Sequence, residues 1–429
     1  MAASKLSARK KLVWSLVTTL LILLALEACA RVAYTVLHPD GDHRDAAERG
    51  DWKIESPDFG WVPKPHYHGP VYGARRQFDA DGLLEQDSRQ IADRSVPRIV
   101  FLGDSSTFGI KVSTGKTFVE RVDGRLPRAS AINLGVIGYS SYQGLKAFRR
   151  YLERDVPDIA VVSFNFNDRR SVLADHIDSD QKFQAIYSQS GSSERVGDIL
   201  DQVYLCRAIR SVCGRLGVIP DAGEDQADES VPLDDLHPRV SPEQYRRNLE
   251  EFAEIAAREG ISLVFMTMND NPVLTEYLIR GIRHFDSGRY NDAIRDLKVA
   301  LGKDGINQVV ARAYLAKACE AQGLSAEAEE YATLYGQFAS QAGRAPRIVD
   351  RQYNQVMRDV AEQHGIAVVD AGKTLDATPS DYLDFCHPDS NGHRKIADLL
   401  APRLAEMLAS RRTAAGASES FATAQEGEE

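Results

Sequence analysis

Four apolar residues, Ile99 to Leu102, run directly into the tripeptide Gly103-Asp104-Ser105. A continuous apolar run that ends in a glycine turn is typical of a buried strand in a parallel sheet covered on both faces. Ligands of such sheets bind outside the carboxyl ends of the strands, so Ser105 would lie at the binding edge. The same residues also suit an ordinary helix start capped by Ser105, Ser106 or Thr107. Partners elsewhere in the chain must decide between these interpretations.

Composition bounds the possible functions. The chain has 429 residues, 43% of them hydrophobic, which is enough for two or three globular units. Its formal net charge is -10, and no predicted face carries clustered Lys and Arg, which excludes a nucleic-acid partner. Five cysteines lack metal-ligand spacing, and Cys206 and Cys213 would lie about 10 Å apart in a helix, too far for a disulfide. We expect no disulfide framework, no metal and no cofactor.

The N-terminus predicts a membrane anchor. A basic cluster within residues 1–11 precedes an uncharged stretch, Leu12 to Leu26, and the apolar character continues to Tyr34. About 20 helical residues cross a bilayer, so residues 12–34 are long enough. Basic residues favour the cytoplasmic side, which would place the rest of the chain on the extracytoplasmic, periplasmic side. Cleavage after Ala30 and lipidation of Cys29 are the alternatives.

Residues 35–96 are rich in Gly, Pro, Asp and aromatic residues and predict a stalk followed by a small β module. The pair His66 and His68 could hold a metal, but no third ligand is near, so we assign none.

Beyond the module, five apolar runs alternate with helical patterns. The runs are Ile99–Leu102, Ala131–Leu134, Ile159–Phe164, Ile261–Thr267 and Ile366–Val369. The helical patterns are Ser141–Arg154, Pro242–Glu259, Pro346–Gln363 and Arg394–Ser410. This alternation predicts a parallel, doubly wound α/β sheet with right-handed crossovers. A helical lid is expected at Leu200–Leu216, followed by a solvated acidic loop at Asp221–Asp235.

Residues 271–345 contain a repeat, because Gly288 recurs as Gly323 and Ala293 as Ala328, both 35 residues apart. The pattern resembles tetratricopeptide helix pairs, although a generic helical hairpin is the alternative. We expect an insert that binds a protein partner or acts as a spacer and that can be removed without loss of folding. The polar tail, residues 411–429, is expected to be disordered.

A serine nucleophile needs a base, a group that orients the base, and donors for the oxyanion. The loop after the last apolar run contains Asp384 and His387. An Asp three residues before a His can bind imidazole Nδ1, leaving Nε2 to accept the proton of Ser105. His393 is a rival base without such an acid.

Oxyanion donors are expected after two other strands. Glycines follow the second run and end at Gly138, where a backbone N–H could approach an oxyanion without side-chain obstruction. Asn165, Asn167 and Asp168 follow the third run, and an asparagine amide can donate.

Four blocks together resemble the signature of the SGNH (GDSL) hydrolase family: Gly103-Asp104-Ser105, Gly138 in Asn-X-Gly-X-X-Gly, Asn167 in Asn-Asp, and Asp384-X-X-His387-Pro. The resemblance covers about residues 97–267 and 346–409. It implies a flavodoxin-like three-layer α/β/α sandwich with Ser105 as nucleophile, His387 as general base and then acid, and Asp384 as its orienter. The implied oxyanion hole consists of the Ser105 N–H, the Gly138 N–H and the Asn167 side chain.

Two departures leave alternatives open. The block around Asn167 lacks the family's glycine, so Asn165 competes for the donor role. Ser106 stands where the family name has Leu, and it is the alternative nucleophile.

The sequence therefore predicts an extracytoplasmic, membrane-tethered serine esterase or acyl (acetyl) transferase that acts on a carbohydrate or lipid ester. The alternative is a non-catalytic envelope scaffold that binds a partner through its insert. The predicted segments are a cytoplasmic N-terminus at 1–11, an anchor at 12–34, a stalk and β module at 35–96, a hydrolase domain at 97–270 and 346–410, the insert at 271–345 and the tail at 411–429.

Overall fold

The computed structural model describes residues 8–37, 51–84, 96–172, 177–189, 237–301, 309–332 and 350–426. The predicted lid at Leu200–Leu216, the acidic loop at Asp221–Asp235, and Cys206 and Cys213 lie outside the described residues.

One helix, Ala8–Leu37, covers the predicted anchor. Its exposed large apolar side chains are Trp14, Val17, Leu21, Ile22, Leu23, Leu24 and Leu26. Among the residues described, no helix is both long and apolar enough to cross a membrane. The anchor at residues 12–34 therefore stays a prediction.

Residues 51–84 form two antiparallel hairpins. Strand β1 (Lys53–Ser56) pairs with β2 (Gly60–Pro63), and β3 (His68–Val71) pairs with β4 (Ala74–Gln77). Trp52, Val71 and Phe78 from these hairpins form a small apolar core together with Phe108. We call residues 51–84 the β module, and this shared core packs it against the segment that follows Ser105.

The main sheet has five parallel strands. They are β5 (Arg98–Gly103), β6 (Ser130–Asn133), β7 (Ile159–Ser163), β10 (Ser262–Thr267) and β11 (Ala367–Asp370). Strands β8 (Ser171–Val172) and β9 (His237–Pro238) form a separate short antiparallel pair. The spatial order is β11-β10-β7-β5-β6. This confirms the predicted parallel α/β sheet. Counted within the sheet, the order is 2-1-3-4-5, the flavodoxin-like arrangement.

The strands bury both faces, as their continuous apolar runs predict. Val100 and Leu102 of β5 contribute to a core on one face, and Ile99 and Phe101 contribute to a core on the other. The first core is covered by the helices Ser141–Leu152, Pro242–Arg258 and Asp350–His364, and the second by Phe118–Arg125, Ala371–Asp376 and the first part of Ser390–Glu426. The domain is thus a three-layer α/β/α sandwich.

The insert is helical. It contains Pro272–Asp286, Tyr290–Ala300 and Val309–Ala321, followed by a helix over residues 325–332. Gly288 and Gly323 lie at the two helix–helix turns with φ of 70° and 72°, a backbone conformation that favours glycine. The repeat of 35 residues therefore corresponds to two helix–glycine–helix units. Whether these are tetratricopeptide repeats stays a prediction.

The insert's apolar core also includes Phe385 and Cys386, which lie between Asp384 and His387. In addition, the backbone N–H of Asn271 donates to the carbonyl oxygen of Phe385 at 2.7 Å. The role of the insert as a partner-binding element or spacer stays a prediction. The insert packs directly on the loop that carries the predicted base.

The C-terminal helix runs from Ser390 to Glu426, well past the predicted end at Ser410. The tail predicted to be disordered is helical as far as residue 426. The physical reason is its composition: Ala, Arg, Glu and Gln favour helix, and residues 411–426 contain no proline.

Candidate active site

Ser105 lies at the carboxyl edge of β5, at the start of a short helix, Ser105–Phe108. Asp104 caps this helix, because its Oδ1 accepts a hydrogen bond from the backbone N–H of Ser106 at 2.9 Å. A Cβ at Gly103 would lie 2.8 Å from the backbone oxygen of Ser163 and would also clash with the side chain of Thr107, so only glycine fits this sharp turn. The cap is therefore Asp104 and not one of the hydroxyl residues that follow it.

Three predicted side chains form a continuous hydrogen-bonded chain. Ser105 Oγ lies 2.7 Å from His387 Nε2, and His387 Nδ1 lies 2.7 Å from Asp384 Oδ2. Asp384 Oδ1 also accepts the backbone N–H groups of Cys386 and His387, at 3.0 and 2.9 Å. These contacts fix the carboxylate, which in turn fixes the imidazole. Ser105, His387 and Asp384 are all buried.

His387 and Asp384 stabilise each other's charged forms. Burial acts to lower the pKa of His387, but the Asp384 carboxylate outweighs it, and the pKa lies above its ordinary value of 6.5. Burial likewise acts to raise the pKa of Asp384, but His387 and the two backbone amides outweigh it and hold that pKa below its ordinary range. The carboxylate is therefore charged at neutral pH and stabilises a proton on His387.

The rival candidates have other contacts. Ser106 Oγ lies 3.4 Å from the carbonyl oxygen of Cys386, a backbone acceptor. His393 Nδ1 accepts the backbone N–H of Phe118 at 3.0 Å, and its ring stacks on that of Phe118. Burial lowers the pKa of His393 to about 3, with help from Arg121, so the ring is neutral. His393 is therefore a packed, neutral ring, whereas the ring of His387 lies 2.7 Å from Ser105 Oγ.

The two asparagines after β7 face different partners. Asn167 Nδ2 donates to the carbonyl oxygen of Tyr139 at 3.1 Å and to Asp104 Oδ2 at 3.4 Å. Asn165 Nδ2 instead donates to the carbonyl oxygen of Met268 and to Asn354 Oδ1, at 2.9 and 3.0 Å. Asn167 therefore lies beside the residue preceding Ser105, whereas Asn165 ties β7 to its neighbours on the opposite side.

Gly138 lies in the loop after β6 with φ of 82°. Its carbonyl oxygen accepts a hydrogen bond from Arg239 Nη1 at 2.7 Å. Arg239 is itself held by Asp178, with Nε 2.9 Å from Oδ1, and by the side chain of Gln143. No local sequence pattern identifies Arg239 or Asp178 as partners of this loop, because both come from segments remote from Gly138.

Cys386 also reaches the site. Within the described part of the chain, Asp384, Cys386 and His387 form a group whose potential ligand atoms lie within 4.8 Å of one another. Cys386 Sγ is 3.7 Å from Nδ1 and 3.8 Å from Nε2 of His387, so it lies about equally far from both ring nitrogens. Each nitrogen already faces Asp384 or Ser105. The arrangement therefore suits proton transfer better than metal binding.

No protein-family model matches the chain, and no curated protein matches it. Among solved structures, it is similar to a lipase/acylhydrolase from Enterococcus faecalis, with 14% identity, coverage of 72% of this chain and 95% of that chain, and a TM-score of 0.35. It is similar to a GDSL-like lipase from Bacteroides thetaiotaomicron, with 11% identity, coverage of 74% of this chain and 95% of that chain, and a TM-score of 0.33. It is also similar to a lipolytic protein of the G-D-S-L family from Veillonella parvula, with 13% identity, coverage of 70% of this chain and 94% of that chain, and a TM-score of 0.32. These neighbours are GDSL-type lipases and acylhydrolases at low identity.

Proposed function

We propose that this chain is a serine hydrolase acting on ester bonds, with Ser105 as nucleophile, His387 as general base and acid, and Asp384 as the orienting carboxylate. The observation that carries this proposal is the hydrogen-bonded chain from Ser105 Oγ through His387 to Asp384. It lies at the carboxyl edge of the parallel sheet, where such sheets bind ligands.

In the proposed reaction, Ser105 Oγ attacks the ester carbonyl while its proton moves to His387 Nε2. The tetrahedral oxyanion is stabilised by the Ser105 N–H, the Gly138 N–H and the Asn167 amide. Collapse expels the alcohol, which takes the proton from His387, and leaves an acyl group on Ser105. A water molecule or a sugar hydroxyl then gives its proton to His387 and attacks the acyl carbon. The bond to Ser105 Oγ breaks, and His387 returns the proton to the serine. Hydrolysis and acetyl transfer share these steps and differ only in that second nucleophile, and we propose a carbohydrate or lipid ester as substrate.

The proposal is tested with p-nitrophenyl acetate under pre-steady-state conditions. Wild-type protein should release a burst of p-nitrophenol followed by slower turnover, because acylation precedes deacylation. Adding a sugar acceptor distinguishes transfer from hydrolysis by the acetylated product. If the wild-type protein shows neither a burst nor turnover, the alternative function is favoured, that of a non-catalytic scaffold that binds a partner through its insert.

Asn167→Ala should lower kcat by about 10² to 10³, the typical effect of losing one oxyanion donor. KM should change little, since the donor acts mainly on the transition state. Asn165→Ala is the matched control, because it removes an identical, buried side-chain amide only two residues away. We expect it to lower the thermal midpoint, through its lost bonds to Met268 and Asn354, while kcat per folded molecule is retained. The reverse pattern would assign the donor role to Asn165.

We also propose that the site faces the extracytoplasmic side and that residues 12–34 tether the chain. The support is the basic cluster before Leu12 and the row of exposed apolar side chains on the helix Ala8–Leu37. The full-length chain should stay in the membrane fraction after alkaline carbonate washing, and external protease should degrade residues 97–410 in cells with a permeabilised outer layer. Release by carbonate, or protection from protease, would contradict the tether or the topology respectively.

A further inference from the structure

Trp61 of β2 donates a hydrogen bond from the β module to residues 137–139, which we call the oxyanion loop. Phe59 of the module also stacks on Tyr139 of this loop, with 6.3 Å between ring centroids. The indole Nε1 of Trp61 donates its hydrogen bond to the carbonyl oxygen of Ile137 at 3.2 Å. The C=O of Ile137 and the N–H of Gly138 belong to the same peptide plane. In a trans peptide these two groups point in opposite directions, and the described residues contain no cis peptide bond. Holding the Ile137 oxygen therefore sets the direction of the Gly138 N–H.

The ring of Trp61 also packs against Gly138. A Cβ built on Gly138 would lie 3.0 Å from Trp61 Cζ2, so the glycine lets the indole approach the backbone closely. The guanidinium carbon of Arg239 lies 5.5 Å from the centre of the Trp61 ring, while Arg239 Nη1 holds the carbonyl oxygen of Gly138. The peptides before and after Gly138 are thus held by two different side chains that contact each other.

Tyr139 links this clamp to the second donor. Its hydroxyl donates to the carbonyl oxygen of Trp61 at 2.8 Å, and the two rings meet edge to face at 5.7 Å between centroids. The carbonyl oxygen of Tyr139 accepts the amide of Asn167. One short loop, residues 137–139, therefore connects Trp61 to both the Gly138 N–H and the Asn167 side chain.

We propose that Trp61 is a positioning residue for the reaction, and that the β module completes the oxyanion hole by fixing the Gly138 peptide. This inference rests on the proposed function. A preorganised donor stabilises the transition state because it needs no reorientation during the reaction. A donor that must first reorient contributes less, and the loss falls on kcat. Trp61 does not touch the reacting atoms and acts instead through the Gly138 peptide, whose N–H faces the oxyanion.

The test compares Trp61→Phe with Trp52→Phe, using p-nitrophenyl acetate and active-site titration with a fluorophosphonate. Trp61→Phe keeps an aromatic ring but removes the donor. We expect kcat per titrated site to fall about 10- to 100-fold, somewhat less than for outright loss of a donor, with KM nearly unchanged and the pH profile of kcat/KM unmoved. Trp52→Phe changes another indole of the module, one that packs near Phe108, and should retain wild-type kcat.

A second variant keeps the inference testable if Trp61→Phe folds poorly. Tyr139→Phe removes only the hydroxyl that holds the Trp61 backbone, and it should lower kcat in the same direction by a smaller factor. The inference is overturned if kcat per titrated site in both variants equals that of Trp52→Phe. It is also overturned if the loss disappears after normalisation to folded protein. A wild-type chain that is neither labelled nor active would instead refute the proposed function.

Discussion

Ser105→Ala and His387→Ala should each reduce ester hydrolysis by on the order of 10⁴-fold or more, and neither variant should give a burst. The reason is geometric: Ser105 Oγ and His387 Nε2 are 2.7 Å apart and act as one proton-transfer unit. Removing the hydroxyl leaves no nucleophile. Removing the imidazole leaves a hydroxyl that cannot be activated. Since both changes disable the same step, the double variant should be no slower than either single one.

The matched control for this series is Ser106→Ala. Ser106 is as buried as Ser105 and adjacent to it, but its hydroxyl faces the backbone oxygen of Cys386. Its kcat should therefore stay within a few-fold of wild type. His393→Gln is the second control, and we expect a stability change rather than loss of the burst. If activity survives in Ser105→Ala but not in Ser106→Ala, the nucleophile is Ser106 and not Ser105.

Asp384→Asn should fold and yet lower kcat by about 10⁴, because an amide in place of the carboxylate favours the wrong tautomer of His387. The pH profile should move as well. The reactive form of His387 is neutral, and Asp384 raises its pKa, so wild-type kcat/KM falls as the pH drops through a value above 6.5. Removing the negative charge lowers that pKa, so the acidic limb of the residual activity should shift to lower pH.

Asp381→Asn provides a control for charge alone. Asp381 lies three residues earlier and pairs with Lys395 at 2.6 Å, without contacting His387. Its acidic limb should stay at the wild-type pH. An Asp384→Asn variant whose limb stays in place would show that the carboxylate does not set the pKa of His387.

The sequence predicts the parallel sheet and the meeting of Ser105, His387 and Asp384 at its edge, because both depend on local patterns. Each apolar run is long enough to identify a strand, and each candidate group follows its own strand. Parallel strands align their carboxyl ends, so Ser105, Asn167 and the loop with His387 are expected at one edge. The flavodoxin-like strand order follows from the resemblance, and the structure agrees with it.

The remaining features depend on contacts between distant segments. Trp61 and Ile137 are 76 residues apart, and nothing in the sequence around Trp61 indicates a bond to the oxyanion loop. The packing of the insert on Phe385 could not be predicted either, because a helical repeat in the sequence indicates only how its own helices pack together. Excising residues 271–345 would expose Phe385 and Cys386 beside His387. The insert therefore covers the loop that carries Asp384 and His387.

If the chain is a serine hydrolase, Ser105 must be its nucleophile. The most direct measurement is reaction of the intact protein with a fluorophosphonate, followed by peptide mass spectrometry. We expect one covalent adduct per chain, located on Ser105, and no adduct in Ser105→Ala or in His387→Ala. An adduct on Ser106, or a folded wild-type chain that remains unlabelled, would contradict this expectation.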